Sequence, residues 1–246
     1  KAIKQVIISE VSDESYTTAL SAKNWCFNDV LMGENPLKLE RDLDSYVMDN
    51  ILYKVSFPAE FHAQTAAEAA ISLSSEVKGK IHDIKEIKIF TQEPGVRIIS
   101  KKGPLNNFAD RDHCIEYIVA WCLLNGNLNS NSYSDSSASD ENIDKLRKLT
   151  NTLEDQAYTR SYYDLDERAI PNKVVVSMIT GEVYEKEVIY PLGHKDRRAE
   201  SLPFLKEKFE KSIEKADIRV DELMKFYDEK NLDSINIYDL LNCIYK

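Results

Sequence analysis

The chain has 246 residues, 43% hydrophobic and 30% charged, the profile of a soluble globular protein with one large or two modest cores. Its net charge of -10 disfavours non-specific binding to nucleic acid or an anionic membrane, so neither is expected as a partner. No apolar run approaches the roughly 18 residues that a membrane span needs.

Residues 1–30 read as a weak helix, the polar turn VSDES and a second short helix, with Trp25, Phe27 and Val30 as core anchors. GENP at 33–36 is a turn, and LDSYVMDNILY at 43–53 spaces its apolar residues as a helix does. In KVSFPAEFHAQTAAEAA, residues 54–70, Ser56 is a candidate N-cap and Pro58 falls in the first helical turn. That helix is expected to run to about Val77, with Gly79 as its stop. At about 100° per residue, Ala59, Ala63, Ala66, Ala67, Ala70 and Leu73 share one face, with Glu60, Gln64 and Glu68 opposite. A smooth alanine face lets a neighbouring backbone press close.

KEIKIFT (85–91) alternates with period two and reads as a strand, and VRIIS (96–100), after a Pro-Gly turn, is a second candidate. GPLNNFADRDHCIEYIVAWCLLNG starts as a loop and becomes a helix from about Phe108 to Asn125, closed by Gly126. Arg111 shares a face there with Ile115, Ile118 and Cys122. Residues 127–142, rich in Ser, Asn and Asp, read as an exposed loop, the weakest-structured part, before a short helix at 141–149. KVVVSMI (173–179), Thr-Gly and VYEKEVIY (183–190) form a β-hairpin. Charged helices follow Gly193, at 202–215, 218–229 and 234–245. The order is an α+β unit inserted between two helical pieces.

Cys26, Cys114, Cys122 and Cys243 form no CxxC pair, so no zinc or iron–sulfur motif is written, and a reducing, intracellular compartment is expected. There is no GxGxxG, P-loop, GxSxG elbow or HExxH. An enzyme built on this chain would work by acid–base catalysis, with positive groups holding an anion.

Three stretches concentrate polar chemistry. Lys54, His62, Gln64 and Thr65 surround a helix start, where free N–H groups and a lysine attract carboxylates and a histidine exchanges protons. The plainer alternative is a core histidine and a solvated lysine. In NNFADRDH, 106–113, the planar fork of Arg111 suits a substrate carboxylate, or else an internal pair with Asp110 or another acid. PLGHKDRR, 191–198, reads as a loop leading into a helix with solvated charges, placed where a hinge would sit.

KVSFPAEFHAQTAAEAA, GPLNNFADRDHCIEYIVAWCLLNG, YPLGHKDRRAESLPFLKEKF and TALSAKNWCFNDVL closely resemble successive motifs of the MmgE/PrpD family, along nearly the whole chain and in order. The resemblance implies an all-helical domain, partial here, with an inserted α+β lid containing a small antiparallel sheet and a cleft between them. The boundaries drawn are 1–52 for the helical part, 53–192 for the lid and 193–246 for helices returning to the helical domain. It implies removal of water from 2-methylcitrate to give 2-methyl-cis-aconitate in the methylcitrate cycle of propionate breakdown. No cofactor and no metal is implied; the partners are a small tricarboxylate substrate and a second copy in a homodimer. The location implied is the mitochondrial matrix in a eukaryote or the cytoplasm in a bacterium.

Carried over by position, Lys54 matches the lysine before the family's Phe-Pro-Ala, His62 and Gln64 the adjoining helix start, and Arg111 and His113 the loop-to-helix motif. Lys54 and Arg111 would hold carboxylates, Gln64 would bind substrate, and His62 would act with Lys54 in catalysis by orienting or relaying protons. His113 is either a substrate contact or structural. The resemblance covers about the C-terminal half of the family, so the expectation is a chain lacking the N-terminal half of the site and inactive alone. Rival expectations are a sister activity, cis-aconitate decarboxylase or iminodisuccinate epimerase, and a non-catalytic lid serving as an interaction module.

Overall fold

The computed structural model describes residues 21–33, 35, 38, 47, 50–213, 223, 225, 226 and 234–244. The helix expected before VSDES, positions 43–46, 48 and 49 of the next, and most of 218–229 lie outside the described residues. The chain divides into two compact units, residues 1–48 and 49–246.

In the first unit, α1 (Phe27–Leu31) is capped by Cys26, whose Sγ accepts the Asp29 N–H at 3.4 Å. Trp25 is 85% exposed and Phe27 and Val30 are exposed too, so they are not the expected core anchors; among the described residues of this unit Cys26 is the buried one. A helix of 5 residues has no apolar stripe long enough to bury three large side chains.

The second unit holds, in order, α2 (Gln64–Val77), β1 (Ile84–Thr91), α3 (Glu93–Ile99), α4 (Phe108–Asp112), α5 (Ile115–Asn125), α6 (Asp135–Ala138), α7 (Glu141–Leu149), β2 (Thr150–Glu154), α8 (Gln156–Tyr163), β3 (Asn172–Met178), β4 (Val183–Val188), α9 (Arg198–Ile213) and α10 (Ile237–Ile244). The strands form one sheet in the order β2-β1-β3-β4. The fold is α+β with a small sheet, as expected, but the sheet is mixed. β1 pairs antiparallel with β3, and β3 with β4, while β2 joins β1 in parallel. A parallel neighbour needs a long crossover, and residues 92–149 supply it with α3 to α7.

α2 packs against α5 on one side and against β3 and β4 on another. Ala63, Ala66, Ala67, Ala69 and Ala70 are fully buried in these contacts, which is what the absence of bulk on this helix permits. Ile87, Ile89, Val174, Val176 and Met178 alternate onto the same core. α5 is buried nearly all round and ends at Gly126, whose φ of 66° is the left-handed cap that glycine adopts without strain.

Several expectations give way. VRIIS is not a strand: it closes α3, in which Pro94 occupies the first turn. Gly95 approaches β1 so closely that a Cβ there would lie 2.5 Å from Thr91 Oγ1. A short apolar run does not distinguish the two states by period. The 108–125 helix breaks at His113 and Cys114 into α4 and α5. The 127–142 stretch is not a loose loop. Asn129 caps a 3-10 turn over Ser130–Tyr133, Ser134 caps α6, and Tyr133 is fully buried. Asn129, Ser132 and Ser134 there act in caps rather than as signs of disorder. β2 and α8 carried no reading in the sequence; β2 buries only Thr150 fully, so it lacks clear alternation.

Candidate active site

The FPAEFH break is held by its own side chains. Gln64, in the first turn of α2, donates through Nε2 to the carbonyls of Phe57 at 2.9 Å and Ala59 at 2.8 Å. Glu60, not Ser56, caps the 3-10 turn over Phe61–Ala63, accepting the His62 N–H at 2.8 Å. Helix therefore starts beyond Pro58, and Gln64, expected to face away from the core, is buried. Thr65 donates to the Ile170 carbonyl at 2.6 Å, and Asn172 Nδ2 donates to the His62 carbonyl at 2.7 Å. The second motif is tied to the first by the Glu60 N–H, which donates to the Asp112 carbonyl at 3.2 Å.

His62 sits between two side chains. Its Nδ1 lies 2.8 and 2.9 Å from the two Glu60 carboxylate oxygens, and its Nε2 lies 3.2 Å from the Tyr162 hydroxyl. The His62 and Tyr162 rings pack 5.5 Å apart. Burial pushes the Glu60 carboxyl up, but hydrogen bonds and charge from His62, with the charge of His113, hold it below the ordinary value. Burial pushes the Tyr162 hydroxyl up.

Lys54 is exposed, with Nζ 4.9 Å from the centre of the Phe61 ring, an ordinary cation–π distance. It lines a cavity of about 830 Å³ with Phe57, Pro58, Asn129, Phe204 and Lys208. Lys208 Nζ bonds the Lys54 carbonyl at 2.6 Å. Among the described residues of the wall, which also include Lys211 paired with Glu207, three cations face one anion. That surplus suits a ligand carrying several carboxylates.

The other expected site residues do not line this cavity. Arg111 is buried in an internal arrangement: Nη1 donates to the Tyr133 carbonyl at 2.7 Å and Nη2 pairs with Asp135, rather than Asp110, at 2.7 Å. Its Nε has no partner among the described residues. His113 is about half exposed and pairs with Asp112 at 2.6 Å. The structure thus groups Glu60, His62, Asp112, His113 and Tyr162 around one junction, with Lys54 reached through Phe61.

PLGHKDRR does lead into α9, through a 3-10 turn, but several of its charges are held by the fold. Arg197 forks onto Glu68 with both contacts at 2.9 Å and onto Glu200. His194 is buried and stacked on Tyr190 at 4.5 Å. Its Nδ1 accepts the Asp196 N–H and its Nε2 donates to the Glu167 carbonyl.

Glu60 and Tyr162 were missed in the sequence. Glu60 carried a signal, an acid two residues before a histidine at a helix start. Tyr162 is 100 residues from His62, and nothing local announces the pairing. Among the described residues, no group of three or more His, Cys, Asp and Glu could hold a metal ion, and no helix is long and apolar enough to cross a membrane.

A sequence profile of the MmgE/PrpD C-terminal domain matches residues 57–225. The chain is 46% identical over 217 residues to the mitochondrial 2-methylcitrate dehydratase of Yarrowia lipolytica, covering 87% of this chain and 42% of that protein. It is 44% identical over 213 residues to the 2-methylcitrate dehydratase of Escherichia coli, covering 85% of this chain and 44% of that protein. It is 43% identical over 230 residues to a probable 2-methylcitrate dehydratase of Saccharomyces cerevisiae, covering 89% and 45%. The chain therefore spans less than half the length of the curated relatives it matches.

Proposed function

The chain belongs to the MmgE/PrpD family, and from that premise we propose that it serves as the C-terminal part of a 2-methylcitrate dehydratase. The reaction removes water from 2-methylcitrate to give 2-methyl-cis-aconitate. One observation carries this reading: identity of 46% sustained over 217 residues to a protein of that name.

Dehydration beside a carboxylate needs a base for the carbon-bound proton, an acid for the departing hydroxyl, and cations to hold the carboxylates as charge shifts onto them. Lys54, with Lys208 on the same wall, is the carboxylate holder in this reading; the cation surplus of that cavity supports it. His62 handles protons. Arg111 and Gln64 act from behind, bracing the segments that carry His62 and Asp112, and His113 stands at the rim. Residues 53–192 form the lid, and 1–52 and 193–246 belong to the helical part. The working unit is a homodimer in propionate breakdown, in the mitochondrial matrix of a eukaryote or the cytoplasm of a bacterium.

The test is to supply 2-methylcitrate to the full-length protein containing this chain and follow the ultraviolet absorbance of the conjugated product. Growth of that absorbance supports the reading. No growth, with cis-aconitate instead losing carbon dioxide, replaces it with the decarboxylase.

A further inference from the structure

The Glu60–His62–Tyr162 chain decides which nitrogen of His62 is basic. Glu60 accepts the His62 backbone N–H on Oε2 at 2.8 Å while both its oxygens lie within 2.9 Å of Nδ1. An ionised carboxylate only accepts, so Nδ1 must carry the proton. In the neutral ring the lone pair then stands on Nε2, where the Tyr162 hydroxyl, 3.2 Å away, donates to it. The frame around the ring is fixed as well. The Glu60 N–H is bonded to the Asp112 carbonyl, the His62 carbonyl to Asn172, and Tyr162 packs edge-on to Tyr163 at 5.1 Å. The charged groups acting on this chain are His113 on the Glu60 side and Arg97 and Glu93 on the Tyr162 side.

We propose that Glu60 and Tyr162 are positioning residues for His62: Glu60 holds the ring as the Nδ1–H tautomer, and Tyr162 covers the Nε2 lone pair until substrate displaces it. The inference rests on the dehydratase reading, and it names Nε2 as the atom that takes the proton from the substrate carbon. The electron pair left behind forms the double bond as the carbon–oxygen bond breaks. The Nε2–H so formed then hands that proton to the departing hydroxide, which leaves as water, and the ring returns to its neutral Nδ1–H form. On protonation the ring becomes a donor at both nitrogens, and the Glu60 carboxylate already faces the new charge.

His194 provides an internal comparison. Its Nδ1 accepts the Asp196 N–H at 3.2 Å, so its proton must sit on Nε2, the opposite tautomer.

The experiment is nitrogen-15 NMR of the histidine rings in the full-length protein, combined with steady-state kinetics on 2-methylcitrate. The expected spectrum shows His62 protonated at Nδ1 and His194 at Nε2. Glu60→Gln keeps the shape of the side chain but leaves one acceptor oxygen for two donors. It is expected to turn His62 toward the Nε2–H form and to lower kcat about tenfold or more, with KM nearly unchanged. Tyr162→Phe is expected to keep the Nδ1–H form while moving the Nε2 resonance toward that of an unbonded nitrogen. An Nε2–H His62 in the wild-type protein, a Glu60→Gln variant with the wild-type tautomer, or an unchanged kcat in that variant overturns the proposal. A wild-type protein that leaves 2-methylcitrate untouched sinks the dehydratase reading instead, and the spectra still decide the tautomer.

Discussion

The N–H of Tyr53 donates to the carbonyl of Gly193 at 3.3 Å, and a Cβ placed on Gly193 would lie 2.1 Å from the Tyr53 carbonyl oxygen. Two segments 140 positions apart in the chain are thus locked face to face at a point where only hydrogen fits. Gly193 also has a φ of 94°, a backbone conformation that side chains resist. Gly181, in the β3–β4 turn, has nearly the same φ, 97°, but open space around it. Gly181→Ala should cost about 1–2 kcal/mol from backbone strain alone. Gly193→Ala should cost at least about 1–2 kcal/mol more, because the Tyr53 backbone must move. Denaturant unfolding of both variants checks this; equal losses would show that the contact at Tyr53 yields freely.

Lys54 makes a binding prediction that separates cleanly from folding. The side chain is exposed, with Nζ 4.9 Å from the centre of the Phe61 ring. Lys54→Gln should leave unfolding free energy within about 0.5 kcal/mol. On the dehydratase reading, it should lower kcat/KM of the full-length protein for 2-methylcitrate by about 10²-fold, the loss of roughly one strong charge-assisted contact. Unchanged kinetics would remove Lys54 from the site.

Arg111 predicts the reverse pattern. Its guanidinium is buried and held by the Tyr133 carbonyl and Asp135. Arg111→Lys cannot reproduce the fork and should destabilise the fold by about 2–3 kcal/mol, seen as a lower unfolding midpoint. Full stability with a raised KM would return Arg111 to the substrate carboxylates.

His194 predicts a pH dependence. Burial, partly offset by Asp196, lowers its pKa below the usual 6.5. The unfolded chain therefore binds this proton before the folded one does. The stability tied to neutral His194 is fully present above about pH 6.5 and is lost as the pH falls toward the lowered folded value. Thermal melts between neutral and mildly acidic pH should show a decline that His194→Gln makes shallower. Equal slopes in the two proteins would show that other groups carry it.

Local pattern was enough wherever an element's own side chains set its state. The alanine face of α2, the buried body of α5 with its Gly126 stop, and the β3–β4 hairpin were all legible, because period and cap residues act within a few positions. VRIIS was misread because a short apolar run suits either state, and the choice fell to Pro94 and to the close approach of Gly95 to Thr91. The 127–142 stretch was misread because composition alone does not tell a cap from a loose polar residue; the burial of Tyr133 does.

What the chain determined by itself was the α+β class, the closely packed helix and the family likeness, all products of side-chain spacing. Tertiary structure alone decided that Tyr162 reaches His62 and that Arg111 faces Asp135. It also decided that β2 completes the sheet in parallel. Hydrogen bonds and ion pairs are short-ranged, so their partners are set by where the backbone brings distant residues, and no local period records that.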